Sequence, residues 1–402
     1  MRMQLTRDGW LLFAACGVRS FAYGFLSVIL GLYLDAQGLN ATSIGWIFTA
    51  ALAGGAMMTI IITAVADSFG RKSLLIIGAV LMAVAGWIFA IGDNPILLTI
   101  AAIFGTISPS GKEVGPFLAI EQAVLPQTTS DQHRTAAFST YNLIGSFAGA
   151  IGALAVGLPP RFSPTAVSGY RFLVWSYVAC ALVMAVLFAL LSRSVEAARE
   201  TTAHVRKIGV HRSRAMIAKL AALFALDAFA GGFIVQSIVA YWFYLRYDTD
   251  LNVLGGIFFG INFLSALSFL AAPAIARRIG LLNTMVFTHL PSNFLILLVP
   301  LMPNLELTVV MLLVRNLLSQ LDVPTRQSYA MAIVDPDERA ASAGILSVAR
   351  NGGAAMAPLF TGAILASPAI GLPFLLAGGL KVIYDLWIFA LFRKVKPPEE
   401  KN

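Results

Sequence analysis

Charge is what this chain most lacks. Asp, Glu, Lys and Arg make up 12% of its 402 residues, against about 25% in soluble domains. So little charge excludes a water-exposed surface over most of the fold. Cysteine is nearly absent too. Cys16 and Cys180 lie in apolar runs without metal-ligand spacing, so neither a disulfide framework nor a metal site is expected. No Walker-type phosphate loop or nucleophile elbow is present. The chain therefore reads as no enzyme, needs no cofactor, and does not drive itself by its own ATP hydrolysis. A net charge of +8 would suit nucleic acid only if basic residues clustered with aromatics on a soluble face, and they do not.

Hydrophobic residues, by contrast, make up 58%, and they fall in runs long enough to cross a bilayer as helices, which takes about 20 residues. The runs lie at 10–34, 43–66, 73–92, 96–125, 135–158 and 170–192, then at 216–245, 253–276, 281–302, 305–333, 340–366 and 372–392. The first is too long for a signal peptide, carries Arg19 and lacks a cleavage site, so it reads as a retained span. The expectation is an all-α membrane protein with twelve transmembrane helices in two pseudo-symmetric six-helix bundles. These are 1–192 and 216–392, joined by a basic cytoplasmic linker at 193–215 and ending in a tail at 393–402. Of 28 Lys and Arg, nineteen fall on one side and only Arg161, Arg171 and Arg246 on the other. Basic residues concentrate in cytoplasmic loops, so both termini and the linker are placed in the cytoplasm of a multi-pass protein of the cell (inner) membrane.

The second half echoes the first. Residues 19–25 match 227–233 at an offset of 208, residues 45–48 and 69–70 match 255–258 and 279–280 at 210, and Arg134, Gly149 and Gly157 fall on Arg339, Ala354 and Gly362 at 205. Three registers in chain order indicate duplication.

After span two the chain reads Thr63-Ala64-Val65-Ala66-Asp67-Ser68-Phe69-Gly70-Arg71-Lys72. This resembles the Gly-x-x-x-Asp-Arg-x-Gly-Arg-Arg motif of the major facilitator superfamily, whose closest branch here is the drug/proton antiporter-like one. Asp67, Gly70, Arg71 and Lys72 survive, while Thr63 and Ser68 depart from it. The resemblance implies that these four residues form a cytoplasmic gate motif. An ordinary charged turn also fits them. The second half keeps only Arg277-Arg278-Ile279-Gly280. Span five has Ala153 where the exporters' Gly-Pro pair is expected, and span four has Lys112 instead of arginine. Gly145 and Gly149 still form a face for close helix packing.

Ionisable residues inside a span cost about 2.5–3.5 kcal/mol on insertion scales and mark partners or pathways. Eleven lie in the runs: Arg19, Lys112, Arg315, Arg326, Arg350, Lys381, Glu113, Glu121, Asp227, Asp322 and Asp385. On span ten, Arg315, Ser319, Asp322 and Arg326 have the spacing of one helix face. That stripe fits a central cavity, and it equally fits a salt-bridge ladder. Arg19 and Asp227 correspond under the repeat, and so do Pro116 and Pro324, which mark interruptions at matching depth. Glu113 is a candidate proton carrier. Lys381 and Asp385 read as a local pair on span twelve, and His289 as an ordinary hydrogen-bonded histidine.

The substrate- or proton-binding set is thus Arg19, Glu113, Asp227, Arg315, Asp322 and Arg326. The function expected is secondary active transport of a small organic solute by alternating access, as proton-coupled efflux, with the chain acting as a monomer in the bilayer. Proton-coupled uptake or exchange of an anionic metabolite is the alternative, and a non-transporting membrane sensor a more distant one.

Overall fold

In a computed structural model, residues 5–112, 116–129, 134–159, 163, 165–196, 212–335, 338–395 and 397 are described. Among them the regular structure is helical throughout. The helices are α1 (Arg7–Ala36), α2 (Ala41–Phe69), α3 (Arg71–Ile91), α4 (Pro95–Phe104), α5 (Pro116–Val124), α6 (Arg134–Ala155), α7 (Ala166–Ala189), α8 (Arg214–Gly232), α9 (Gln236–Tyr247), α10 (Leu251–Ile279), α11 (Leu281–Leu298), α12 (Leu305–Ser319), α13 (Asp322–Ala332), α14 (Arg339–Leu365) and α15 (Leu372–Phe392).

Every apolar run coincides with a helix or a pair of helices. Nine segments among the described residues are long and apolar enough to cross a membrane. The run at 96–125 does not qualify because it breaks into the short α4 and α5. Those at 135–158 and 340–366 form α6 and α14, where small and polar residues replace larger apolar ones. Large apolar side chains point outward, among them Leu182, Val186, Leu386 and Trp387, whereas Arg19, Glu121, Asp227 and Asp385 are buried. This inverts the arrangement of a water-soluble protein, as a lipid environment requires.

By its contacts the chain divides into two compact units, one of 1–200 with 235–259, the other of 201–234 with 260–402. Most of the expected linker lies outside the described residues. The 235–259 stretch joins the first unit because α9 is fastened to α1. Ser237 Oγ donates to the Ser27 carbonyl at 2.6 Å, and Tyr241 Oη donates to Asp35 at 2.7 Å.

Within each unit the same joints recur. In the first, α1 packs on α6 and α3 on α7; in the second, α8 packs on α14 and α11 on α15. Gly24 of α1 lies against the Gly149 carbonyl of α6, and Gly232 of α8 lies against the Ala354 carbonyl of α14. These are the positions that the offsets of 208 and 205 equate, so the two registers meet in space at one close helix contact per unit. A side chain on either glycine would collide with backbone. The turns repeat as well. Gly70 and Gly280 both adopt positive φ, +89° and +86°, the left-handed conformation that glycine takes without strain. Asn40 caps α2 through Ser43 N, and Asp250 caps α10 through Val253 N. Asn94 and Asn304 cap α4 and α12. Both pairs sit at the offset of 210.

Interruptions expected in spans four and ten are present. α4 ends at Phe104 and α5 starts at Pro116, while α12 gives way to α13 two residues before Pro324. Span ten is therefore not one straight helix, and its charged stripe is shared between two. A third break, between α8 and α9, follows Gly231 and Gly232 and had no proline to announce it.

Candidate functional site

Among the described residues the first unit carries a buried charged cluster at Arg19. Arg19 of α1 donates to Glu121 of α5 through Nη1 to Oε1 at 2.9 Å and Nη2 to Oε2 at 2.6 Å. Nη2 also donates to Tyr141 Oη on α6 at 2.9 Å, and that hydroxyl donates to Glu121 Oε2. The guanidinium lies 5.0 Å from the Phe117 ring centroid. Bidentate geometry of this kind is the strongest form of the pair. Glu113 lies outside the described residues.

A larger cluster occupies the second unit, centred on Asp227 of α8. Its Oδ1 accepts from Lys381 Nζ of α15 at 2.5 Å, and its Oδ2 accepts from Arg326 of α13 at 2.9 Å and from Arg350 of α14 at 3.3 Å. Arg326 Nη1 also lies 2.9 Å from Asp322 Oδ2, out of line for a hydrogen bond and so an ion pair. Arg326 stacks 5.6 Å from the Phe224 ring centroid. Asp385 does not pair locally with Lys381 as the spacing suggested. It faces His289 of α11, whose Nδ1 is 2.9 Å from Asp385 Oδ1, and it accepts from Asn293 Nδ2 at 2.8 Å. His289 Nε2 in turn points to Asp227 Oδ1 at 4.0 Å.

Arg315 of α12 stands apart. Its Nη1 donates to the neighbouring Asn316 Oδ1 at 3.1 Å, and its Nε finds no partner. Among the described residues the cluster then joins three cations, Arg326, Arg350 and Lys381, with three carboxylates, Asp227, Asp322 and Asp385, and Arg315 is a fourth cation outside its ion pairs. Most of these side chains are under a tenth exposed, but Arg350 is 35% exposed.

Thus Asp227, Asp322 and Arg326 come together. Arg19 takes Glu121 inside its own unit, while Asp227 is held by cations of the other. Each unit ties its first helix to α5 or to α13 through a buried ion pair, with the charges exchanged. Sequence spacing paired Lys381 with Asp385, read His289 as an ordinary hydrogen-bonded histidine and passed over Asn293, because their meeting is made by the packing of α8, α11 and α15.

At the gate motif, Gly70 ends α2 and caps α3. The next two backbone N–H groups, of Arg71 and Lys72, donate to Glu196 at 2.6 and 3.2 Å, and Lys72 Nζ donates to the Leu191 carbonyl at 2.7 Å. The Asp67 side chain lies outside the described ones. Glu196 was missed because it lies beyond the sixth apolar run, in the stretch read as linker. Glu338 does the same for α8, accepting from Arg212 and Ser213 N at 2.8 and 3.0 Å. Both carboxylates satisfy the unpaired donors at a helix N-terminus, where negative charge is favoured.

A multi-pass helical protein with duplicated joints and balanced buried charge has the construction of a membrane transporter. The family model described as Major Facilitator Superfamily matches residues 12–323, and the chain belongs to that superfamily. A Saccharomyces cerevisiae membrane protein, YJR124C, is 26% identical, over 99% of this chain and 96% of its own length. The fold is similar to that of the nucleoside transporter NupG, with a TM-score of 0.76, 14% identity and coverage of 96% of this chain and 100% of that one. It is also similar to a D-xylose-proton symporter, with a TM-score of 0.74, 14% identity and 98% of each chain covered.

Proposed function

We propose that this transporter is a secondary active carrier that moves a small organic solute by alternating access and is coupled to protons. In this reading it crosses the cell's inner membrane twelve times, with both termini cytoplasmic in keeping with the nineteen-to-three distribution of basic residues. It works as a monomer. Efflux is the direction favoured by the likeness of residues 63–72 to the drug/proton antiporter-like branch.

The observation that carries the reading is Asp227. One buried carboxylate has three cationic side chains within 3.3 Å, so it can release one cation and remain neutralised. A permanent structural bridge needs one partner; a shared carboxylate permits exchange of partners as solute or proton arrives.

A second reading, proton-coupled uptake or exchange of an anionic metabolite, is supported by Arg315. Its guanidinium has no carboxylate within ion-pair distance among the described residues, and Arg350 is partly exposed. A carboxylate or phosphate would supply the missing negative charge.

The test is a proteoliposome screen of neutral and anionic compounds for solute-dependent proton movement, with wild type beside Asp322→Asn. Proton flux with at least one solute, reduced in the variant, is the expected result. Its absence from wild type throughout would end the proton-coupled reading. Counterflow of labelled against unlabelled solute separates a carrier from a channel.

A further inference from the structure

We infer that His289, Asp385 and Asn293 form a binding site for the coupling proton, set behind the Asp227 network. This rests on the proton-coupled reading above.

All three side chains are buried, on α11 and α15. His289 Nδ1 has two neighbours with opposite demands. Asp385 Oδ1, at 2.9 Å, is an acceptor when ionised and calls for a proton on Nδ1. Asn293 Nδ2, at 3.1 Å, is a donor and calls for a bare Nδ1. One proton placement cannot satisfy both. The third observation is Asn293 Oδ1, which is buried with no hydrogen-bond partner. A buried orphan acceptor is costly, about 1–3 kcal/mol.

Two arrangements resolve the conflict, and they differ by one proton. With Asp385 ionised, Nδ1–H donates to Oδ1 and Asn293 Nδ2–H donates to Oδ2, as the 2.9 and 2.8 Å separations allow. When a proton is taken up on the Asp385 carboxyl and the Asn293 amide turns over, Asn293 Oδ1 accepts from both Asp385 O–H and His289 Nδ1–H. Oδ1 is then satisfied, and Nδ2 takes the unpartnered position that Oδ1 leaves. If the proton is taken instead by Nε2, imidazolium results, and Nε2–H faces Asp227 Oδ1 across 4.0 Å. That N–H competes with Lys381 for the same oxygen. Protonation of the cluster thereby reaches Asp227, and through it Arg326 and Arg350. No covalent bond other than those to the proton forms or breaks.

The charges facing His289 are Asp385 and Lys381 from α15, with the Tyr384 ring at 6.0 Å, and Asp227 from α8. From α13 come Asp322 and Arg326, which meet Asp227. Arg350 of α14 also meets Asp227, and Arg315 of α12 rests on Asn316. The anions nearest the ring are Asp385 and Asp227.

The test needs no transported solute. His133, His204 and His211 are replaced by Gln, leaving His289 as the single ¹⁵N-labelled histidine in protein held in lipid nanodiscs. Its ring nitrogen shifts are then followed from about pH 5 to 9, the range in which histidine changes charge. The expected result is a titration step or a tautomer change in that range. Asp385→Asn should move that step, because the partner of Nδ1 is changed. Lys381→Met should move it too, because the lysine no longer competes for Asp227 Oδ1. A ring whose shifts stay constant across the range overturns the proposal, as does a midpoint that neither variant moves. Solute-driven proton flux in wild type with a silent His289 defeats this site alone, whereas a responsive His289 without any such flux defeats the coupled-transport reading.

Discussion

Arg19 and Glu121 face each other fully buried, with both guanidinium Nη atoms on both carboxylate oxygens at 2.9 and 2.6 Å. In the second unit Asp227 on α8 takes the place of the cation and Arg326 on α13 that of the anion. The duplicated halves thus keep the joint and exchange its polarity.

Glu121→Ala should destabilise the protein by about 3–5 kcal/mol, since a buried guanidinium loses a bidentate counter-charge. The double variant Arg19→Met with Glu121→Leu should recover much of this, because no charge remains to be desolvated. Thermal unfolding in detergent of the two singles and the double checks both. A double variant no better than the singles would show that the shape of the pair, not its charge, matters.

Around Asp227 the expectation is asymmetric. Asp227→Asn leaves Lys381, Arg326 and Arg350 facing one another without their shared anion. Lys381→Met leaves Asp227 with two cations. The unfolding midpoint should fall further for Asp227→Asn, and equal losses would argue that the lysine alone holds the cluster together.

Two adjacent glycines of α14 should behave oppositely. Gly352 has open space where a side chain would go, while Gly353 lies against the Ala225 carbonyl of α8. Gly352→Ala should be neutral or gain about 0.5–1 kcal/mol of helix stability. Gly353→Ala should lose about 1–3 kcal/mol by overpacking. Unfolding midpoints of the pair decide it, and loss at Gly352 would contradict the packing described.

Glu196→Gln should weaken the first turn of α3, where the carboxylate accepts from Arg71 and Lys72 N, by about 0.5–2 kcal/mol, the usual value of an N-terminal cap. Hydrogen exchange over residues 71–74 should quicken while the interior of α3 is unchanged. Glu338→Gln should do the same at the start of α8.

What the sequence determined by itself was the class of structure and its internal repetition. Apolar runs of bilayer length can only be helices in lipid, because every backbone polar group must be satisfied within the segment. Offsets of 205, 208 and 210 equated Gly24 with Gly232, Gly149 with Ala354 and the turn at Gly70 with that at Gly280, and duplication preserves such positions where backbone approaches backbone. Pro116 and Pro324 likewise announced the broken spans, since proline removes a helix donor.

Only the tertiary structure decided which charge meets which. Arg19 and Asp227 correspond in sequence but find partners inside their own units. Lys381 and Asp385, four residues apart, turn to Asp227 and to His289 with Asn293. Helical spacing tells which residues share a face, but long side chains buried between helices choose partners across the packing interface. There, desolvation makes a well-placed opposite charge on another helix outweigh a near neighbour on the same one.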